Sequence, residues 1–343
     1  MNNKIKFGVV GLGHIGKRHA QCILDNKNAE LISVCDIKYQ DTWFKEHSPV
    51  TYFSDFDKFL LEDLDVINIC TPNYLHAEMA IKAIISGKHV VVEKPVALSM
   101  NDAQAILDSA KLHAKLVFGV MQNRFSPTVI WLKGIIDDNL LGEINMVIVN
   151  CFWNRNKKYY LNSSWHGSKI KDGGPLFTQF SHFIDIINWI FGDFYNINAE
   201  FHSFKKRKYV EFEDSGLVNF HLKNHHLSNA SIKGLLTYST VLWNKNFESS
   251  ITILGENGTI KIGGQYMDKV DYCDIKDYNL PDIQSDTTCN DYGEYKGSAS
   301  NHDKMIDHVV GVLLKHNSQK NTSLPMDGLD VVSIIERIYN FRN

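Results

Sequence analysis

The stretch IKFGVVGLGHIG, residues 5–16, limits the folds open to this chain of 343 residues more than any other. Its first half is a short run of β-branched and aromatic residues, as expected of a strand buried on both faces. Three glycines follow in a GxGxxG spacing, and a segment of helical periodicity, His14 to Asn26, begins among them. Three glycines alone occur by chance in many loops. Placed between a strand and a helix they have separate tasks: Gly11 permits the tight turn, Gly13 lets backbone approach a pyrophosphate, and Gly16 lets the helix pack closely. The helix N-terminus, with the N–H groups of His14 and Ile15, then faces the anion.

The alternation continues. LISVCD (31–36), DVINIC (65–70), KHVVVE (88–93) and KLVFGVM (115–121) are further Val- and Ile-rich runs, separated by helical segments such as Leu75 to Ser86 and the one that Ser99 caps. Strand and helix in turn predict a doubly wound parallel sheet, a Rossmann domain over residues 1–123. From about Glu143 the runs lengthen and alternate in polarity: INMVIVNCFW, GLVNFHL, ASIKGLLTYS and ESSITILG. They predict an α+β domain over residues 124–343 with a large, mostly antiparallel open sheet, one helix near 180–191 and a closing helix in VVSIIERIYNF. The fold class expected is α/β with two domains, in keeping with a chain longer than the roughly 250 to 300 residues at which single cores stop growing.

Polar residues gather at the strand ends. Asp36 closes the second strand, where a carboxylate accepts hydrogen bonds from both ribose hydroxyls of an adenosine and repels a 2′-phosphate. NAD is therefore expected over NADP. DVINIC runs into Thr71, Pro72, Asn73 and His76, at the carboxyl edge beside the nucleotide crevice. KHVVVE runs into Glu93-Lys94-Pro95. Proline keeps Lys94 out of the α region, and such an X–Pro bond is a candidate for the cis isomer. An amine is thereby held at a fixed point, although EKP alone is more often a surface turn than an active site.

Composition excludes several classes. A net charge of -3 leaves no polyanion footprint, so nucleic acid is not an expected partner. Six scattered cysteines without a CxxC pair argue for reduced thiols in a cytoplasmic protein and against a disulfide frame or zinc site. HLKNHH, 221 to 226, places histidines at i and i+4 without carboxylate or cysteine companions and reads as a solvated hairpin loop, so no metal is expected. KKRK, 205 to 208, reads as another solvated loop. No apolar run approaches the roughly 20 residues that span a bilayer, so no membrane association is expected.

GxGxxG, the strand-end Asp36, TPNYLH and EKP, in this order and at these spacings, resemble the Gfo/Idh/MocA family, named for glucose–fructose oxidoreductase and inositol dehydrogenase. The resemblance covers the nucleotide domain closely and continues through DGGPLFTQFSHFIDIINWIFGD (172–193). It implies NAD(P) in the crevice and Lys94 as the active-site lysine, and it aligns His182 with the family's active-site histidine. Polyol-oxidising members have an aspartate four residues before that histidine, where this chain has Thr178. CFWNRN (151–156), SSWHGSKIKDGG, LFTQFSHFID and GSASNHDK (297–304) look instead like the nucleotide-sugar subgroup of bacterial surface polysaccharide pathways. That likeness implies oxidation of a ring hydroxyl, at position 3, of a UDP-linked N-acetylamino-sugar uronate.

The chemistry sets its own demands. Oxidising a secondary alcohol needs hydride transfer to nicotinamide and a base about 3 Å from the alcohol oxygen. Lys94 qualifies where desolvation and a positive nicotinamide loosen its proton, and His182 needs little tuning. The sequence leaves open which of the two is the base. Gln122 follows the fifth of these strand runs, where it could reach the nicotinamide, and Arg124 a substrate carboxylate. Arg155, Tyr159, Trp165, Thr178 and Gln179 are candidates for the sugar site, although an aromatic cluster is more often core. The alternatives are a dehydrogenase of a free sugar or polyol, and a non-enzymatic NAD-binding regulator, which has no need of both Lys94 and His182. A long antiparallel sheet with helices for only one face predicts a homodimer or homotetramer built on the other.

Overall fold

A computed structural model of the chain describes residues 4–47, 49–223, 231–283, 289–291, 296–315 and 328–342. By packing, the chain falls into two compact units, one of residues 1–121 and 302–332, the other of residues 122–301 and 333–343. A single cut at 123/124 does not describe this division. The helix His302–Leu313 returns to the first unit and packs on the helix His14–Asp25. Nothing local in the sequence announces that return, because its cause is a contact with residues nearly 300 positions away.

The first unit is a parallel sheet of β1 (Ile5–Val10), β2 (Ala29–Cys35), β3 (Thr51–Phe53), β4 (Val66–Ile69), β5 (His89–Val92) and β6 (Val117–Gly119), in the order β3-β2-β1-β4-β5-β6. Every residue of β4 is buried, as are the three valines of β5, which accounts for strands that read as unbroken apolar runs. The three-residue β3 lies at the sheet edge, where little burial is required, and leaves no such run. Strand order reverses between β1 and β4, and open α/β sheets bind ligands outside such a switch point. Ser99 caps its helix as expected, its hydroxyl accepting from the N–H of Asp102 at 3.1 Å.

The second unit is built on β7 (Ile144–Phe152), β8 (Asp193–His202), β9 (Ser215–Lys223), β10 (Ile232–Ser239), β11 (Glu248–Gly255), β12 (Gly258–Gly263) and β13 (Lys269–Ile275). Their order is β13-β12-β11-β7-β10-β9-β8, with β7 and β10 parallel and every other neighbouring pair antiparallel. Alternate residues such as Val147, Val149 and Cys151 of β7 and Val218, Phe220 and Leu222 of β9 are buried. Trp153 stands edge-on to Phe180 and Phe183 beside the helix Ser181–Phe191, and its indole N–H donates to Ser249 Oγ at 2.8 Å. The opposite face of the sheet carries a row of Asn219, Leu235, Ile148 and Thr252 in direct register. Of the HLKNHH stretch, His221 to Lys223 belong to β9 and not to a loop, while Asn224, His225 and His226 lie outside the described residues. Among the described residues no helix is long and apolar enough to cross a membrane.

Candidate active site

The glycine turn is built as its three tasks require. Gly11 has φ +87°, and a Cβ there would lie 2.6 Å from the carbonyl oxygen of Cys70 at the end of β4. Gly16 packs so closely that a Cβ would lie 1.8 Å from Gly11 O. Around Gly13 the case is opposite, since a Cβ would meet no protein atom within 4 Å. Gly11 and Gly16 are therefore required by the protein itself, whereas the space at Gly13 fits a group from outside. The helix His14–Asp25 has no side-chain cap and no acidic residue in its first turn, so the N–H groups of its N-terminus remain suited to an anion.

Asp36 is tied to the same turn. One carboxylate oxygen accepts from the N–H of Leu12 at 2.6 Å, the other from Lys38 N–H at 2.8 Å. An ionised carboxylate has about four acceptor sites, so two remain for ribose hydroxyls. These residues fit the adenosine and pyrophosphate of a dinucleotide. At the end of β4, Thr71 and His76 are bound to each other: the His76 ring sits 2.7 Å from Thr71 O and 2.7 Å from Pro95 O. Burial pushes His76 below the usual histidine range, against the pull of those two carbonyls. Its ring is thus a brace between the β4 and β5 turns, with Pro72 and the buried Asn73 between its supports.

The β5 turn separates two neighbours that the sequence places together. The Lys94–Pro95 bond is cis. Glu93 is buried, with Oε1 2.9 Å from His19 Nε2 and 3.3 Å from His302 Nε2, and Oε2 accepting from the Lys94 N–H at 3.1 Å. Its carboxylate is turned to those histidines, whereas Lys94 is partly exposed. His19 escaped the sequence reading, and His302 entered it only within GSASNHDK, with no role of its own. The one available signal was two histidines that interrupt otherwise apolar helix faces.

In the second unit the short helical turn Gln122–Phe125 meets the helix Ser181–Phe191. Gln122 Nε2 lies 3.2 Å from His182 Nε2, both residues being buried. Three positions along the helix, Asp185 receives Arg124 in two hydrogen bonds, Nε to Oδ2 at 2.8 Å and Nη2 to Oδ1 at 2.6 Å. Arg124 therefore already holds a carboxylate from its own chain. Arg155 lies over the rings of Trp153 and Tyr159 at 4.8 and 5.1 Å, and its Nη1 donates to Asn154 O. Gln179 donates to the Tyr159 hydroxyl at 2.7 Å, and His166, stacked on Tyr159, sits against Trp165. The structure thus gathers Arg155, Tyr159, Trp165 and Gln179 in one cluster. Thr178 is turned elsewhere: its hydroxyl donates to the main-chain oxygen of Asp172 at 2.9 Å and to the Asp172 carboxylate. Of KKRK, Arg207 packs over the Tyr160 ring at 5.3 Å and is not simply solvated.

Comparison with known proteins adds to this geometry. Residues 5–120 match the model of the Gfo/Idh/MocA oxidoreductase family's NAD-binding Rossmann fold, and residues 133–341 that of its C-terminal alpha/beta domain. Glucose-6-phosphate 3-dehydrogenase of Bacillus subtilis is 31% identical over 232 residues, which cover 64% of this chain and 65% of that protein, just short of two thirds of its length. The WlbA dehydrogenase of Bordetella pertussis, in complex with NADH and UDP-GlcNAcA, is 28% identical with a TM-score of 0.84, covering 99% of this chain and 95% of that one. WlbA of Chromobacterium violaceum, in complex with the same two ligands, gives 28% and 0.85, covering 99% and 94%. Two family models that between them take in almost the whole chain, on a fold whose nucleotide turn is fully formed, establish that it belongs to the Gfo/Idh/MocA oxidoreductases and is an NAD-binding member of that family.

Proposed function

We propose that the chain is an NAD-dependent dehydrogenase that oxidises a ring hydroxyl, at position 3, of a UDP-linked N-acetylamino-sugar uronate, in the synthesis of bacterial surface polysaccharide precursors. The observation that carries this reading is the whole-length likeness, at 28% identity, to two dehydrogenases holding NADH and UDP-GlcNAcA. Bound NAD supplies the hydride acceptor. Asp36 takes the adenosine ribose, and the N-terminus of the helix His14–Asp25 takes the pyrophosphate. Lys94 and His182 serve the reacting hydroxyl, one removing its proton and the other stabilising the developing negative charge. Gln122 Nε2, 3.2 Å from His182 Nε2, orients that imidazole. Arg155, with the Tyr159, Trp165 and Gln179 cluster, serves the sugar, and Arg155 is the partner proposed for the uronate carboxylate.

The test is NADH formation with UDP-GlcNAcA beside glucose 6-phosphate, free sugars and inositol, with the product's oxidised carbon located by NMR. Turnover of UDP-GlcNAcA at carbon 3 supports the reading. Turnover confined to a sugar phosphate, free sugar or polyol overturns it. The assembly proposed is a homodimer or homotetramer through the outer face of the second sheet. Ile148→Glu with Leu235→Glu, at the centre of its registered row, should lower the sedimenting mass to that of one chain. An unchanged mass would remove that face from the interface.

A further inference from the structure

Three donor atoms from distant parts of the first unit converge in its interior. His19 Nε2 lies 2.9 Å and His302 Nε2 3.3 Å from the same oxygen, Glu93 Oε1, and one ligand atom from each side chain lies within 4.8 Å of the others. His19 comes from the first helix, Glu93 follows β5, and His302 opens the helix that returns near the end of the chain. All three residues are buried, His19 and His302 each to 1% exposure. Around an ion bonded at about 2.0–2.1 Å in tetrahedral array, donors stand roughly 3.3–3.4 Å apart. The His302 contact to Oε1 matches that spacing, and the His19 contact is shorter, at hydrogen-bond length.

Hydrogen bonding among these groups leaves atoms over. With His19 Nε2–H donating to Glu93 and the Asn68 amide nitrogen donating to His19 Nδ1 at 2.8 Å, Asn68 Oδ1 and both ring nitrogens of His302 have no hydrogen-bond partner among the described residues. His302 Nε2 is close to the glutamate oxygen, yet its ring is not aimed for an N–H···O bond. A buried polar atom left in this way is costly, because it has given up its water without gaining a partner. Donors in a coordination shell aim at a common centre and not at one another, which is the arrangement His302 adopts.

We propose that His19, Glu93 and His302 form a binding site for one divalent metal ion of the zinc class. His19 and His302 give Nε2 lone pairs and Glu93 gives Oε1. Turning over the Asn68 amide, whose oxygen and nitrogen are set only by their partners, lets its orphaned oxygen accept from His19 Nδ1–H. Such an outer bond fixes the tautomer of a ligating histidine. The Lys94 N–H does the same for the second glutamate oxygen. Two imidazoles and a carboxylate suit zinc and its neighbours better than magnesium or calcium, and three protein donors leave a position for water. The ion ties the returning helix to β5 and to the nucleotide-binding helix.

The experiment uses untagged full-length protein stripped with a chelator and titrated with Co2+. One equivalent should bind with visible d–d bands that Zn2+ abolishes, and Zn2+ should raise the melting temperature of the stripped protein. His302→Ala should lose the bands, Asn68→Ala should weaken Zn2+ binding by about 10- to 100-fold, and His221→Ala, a strand residue elsewhere, should change neither. The wild-type titration alone decides the matter where a variant fails to fold. Stripped wild type that shows no d–d bands and no Zn2+-dependent melting shift overturns the proposal, as do bands that persist in His302→Ala.

Discussion

The buried pair of Arg124 and Asp185 offers a sharp test of how the second unit positions its polar residues. Arg124 is 4% and Asp185 1% exposed, and the pair is bidentate. Replacing Arg124 by methionine keeps much of the side-chain stem but strands an ionised carboxylate in the interior, which costs about 3–5 kcal/mol. At roughly 2–4 °C per kcal/mol for a unit of this size, melting should fall by about 6–20 °C. Arg124→Met with Asp185→Leu removes both charges, and such apolar replacements of a buried pair are often neutral or better. The double variant should therefore regain most of the loss.

Turnover should not follow stability. The pair joins the turn that carries Gln122 to the helix that carries His182, whose side chains stand 3.2 Å apart. Apolar packing restores volume but not the two directed bonds that fix register, and a misplacement of about 1 Å can cost 10²-fold in rate. We expect the double variant to melt within a few degrees of wild type while kcat falls by about 10-fold or more, with NAD affinity unchanged in titration calorimetry. Recovery of kcat together with melting would reduce the pair to stability alone. A loss below about 1 kcal/mol in Arg124→Met would show that Asp185 is solvated without its partner and refute the burial argument. An increase in KM for the uronate, absent with an uncharged sugar, would return Arg124 to the role of substrate-carboxylate ligand.

Lys94→Met should lower turnover by roughly 10²-fold or more, the scale of a lost acid–base group, with NAD affinity and melting temperature little changed; near wild-type turnover would leave EKP a simple strand end. His182→Ala beside it, read as pH profiles of kcat, should remove one limb of the profile, and an unaltered profile would exclude His182 as a proton carrier. Asp36→Ala should narrow the preference for NAD over NADP, and equal affinities in the wild type would contradict the ribose assignment. Stability should rise with pH between about 5 and 7. His89 Nδ1 accepts the Leu116 N–H at 2.9 Å, and burial pushes the pKa of His89 and of His76 down. With folded pKa values below the unfolded value near 6.5, the unfolded chain binds more protons in that window, worth about 1.4 kcal/mol per proton per pH unit. Melting temperatures that stay flat from pH 7 to 5, or that are equally pH-dependent in His89→Gln, would count against this.

How much of the molecule could be read beforehand depended on how local its causes are. GLGHIG was legible because strand, turn and helix lie in one continuous stretch, and the clash of a Gly16 Cβ with Gly11 O is a matter of five residues. The four long runs of the second sheet were legible because their alternate residues face a core, whereas the parallel pairing of β7 with β10 is a choice between distant partners that alternation does not encode. Arg155, Tyr159, Trp165 and Gln179 lie within 25 positions and stand in one cluster, whereas Thr178, read in the same set, bonds to Asp172. Arg124 was read from its position alone, and the carboxylate that occupies it stands 61 residues away.

The EKP turn shows where reading by position fails. Glu93 and Lys94 looked like one charged cluster at the crevice, but successive residues of an extended chain point to opposite sides. Glu93 is turned inward, and its carboxylate is met there by His19, 74 residues earlier, and by His302, near the far end of the chain. An inward carboxylate is tolerable only with such partners, because an unpaired buried charge costs far more than the strand gains by ending there. Lys94 is then the member of the motif whose side chain stays partly exposed, while its own N–H helps to hold the glutamate. Losing Glu93 should therefore disturb Lys94 through the backbone, so Glu93→Gln, which keeps the acceptor oxygen, should impair turnover less than Glu93→Ala. Equal losses in the two variants would mean that the charge of Glu93, and not its hydrogen bond to Lys94, is what turnover requires.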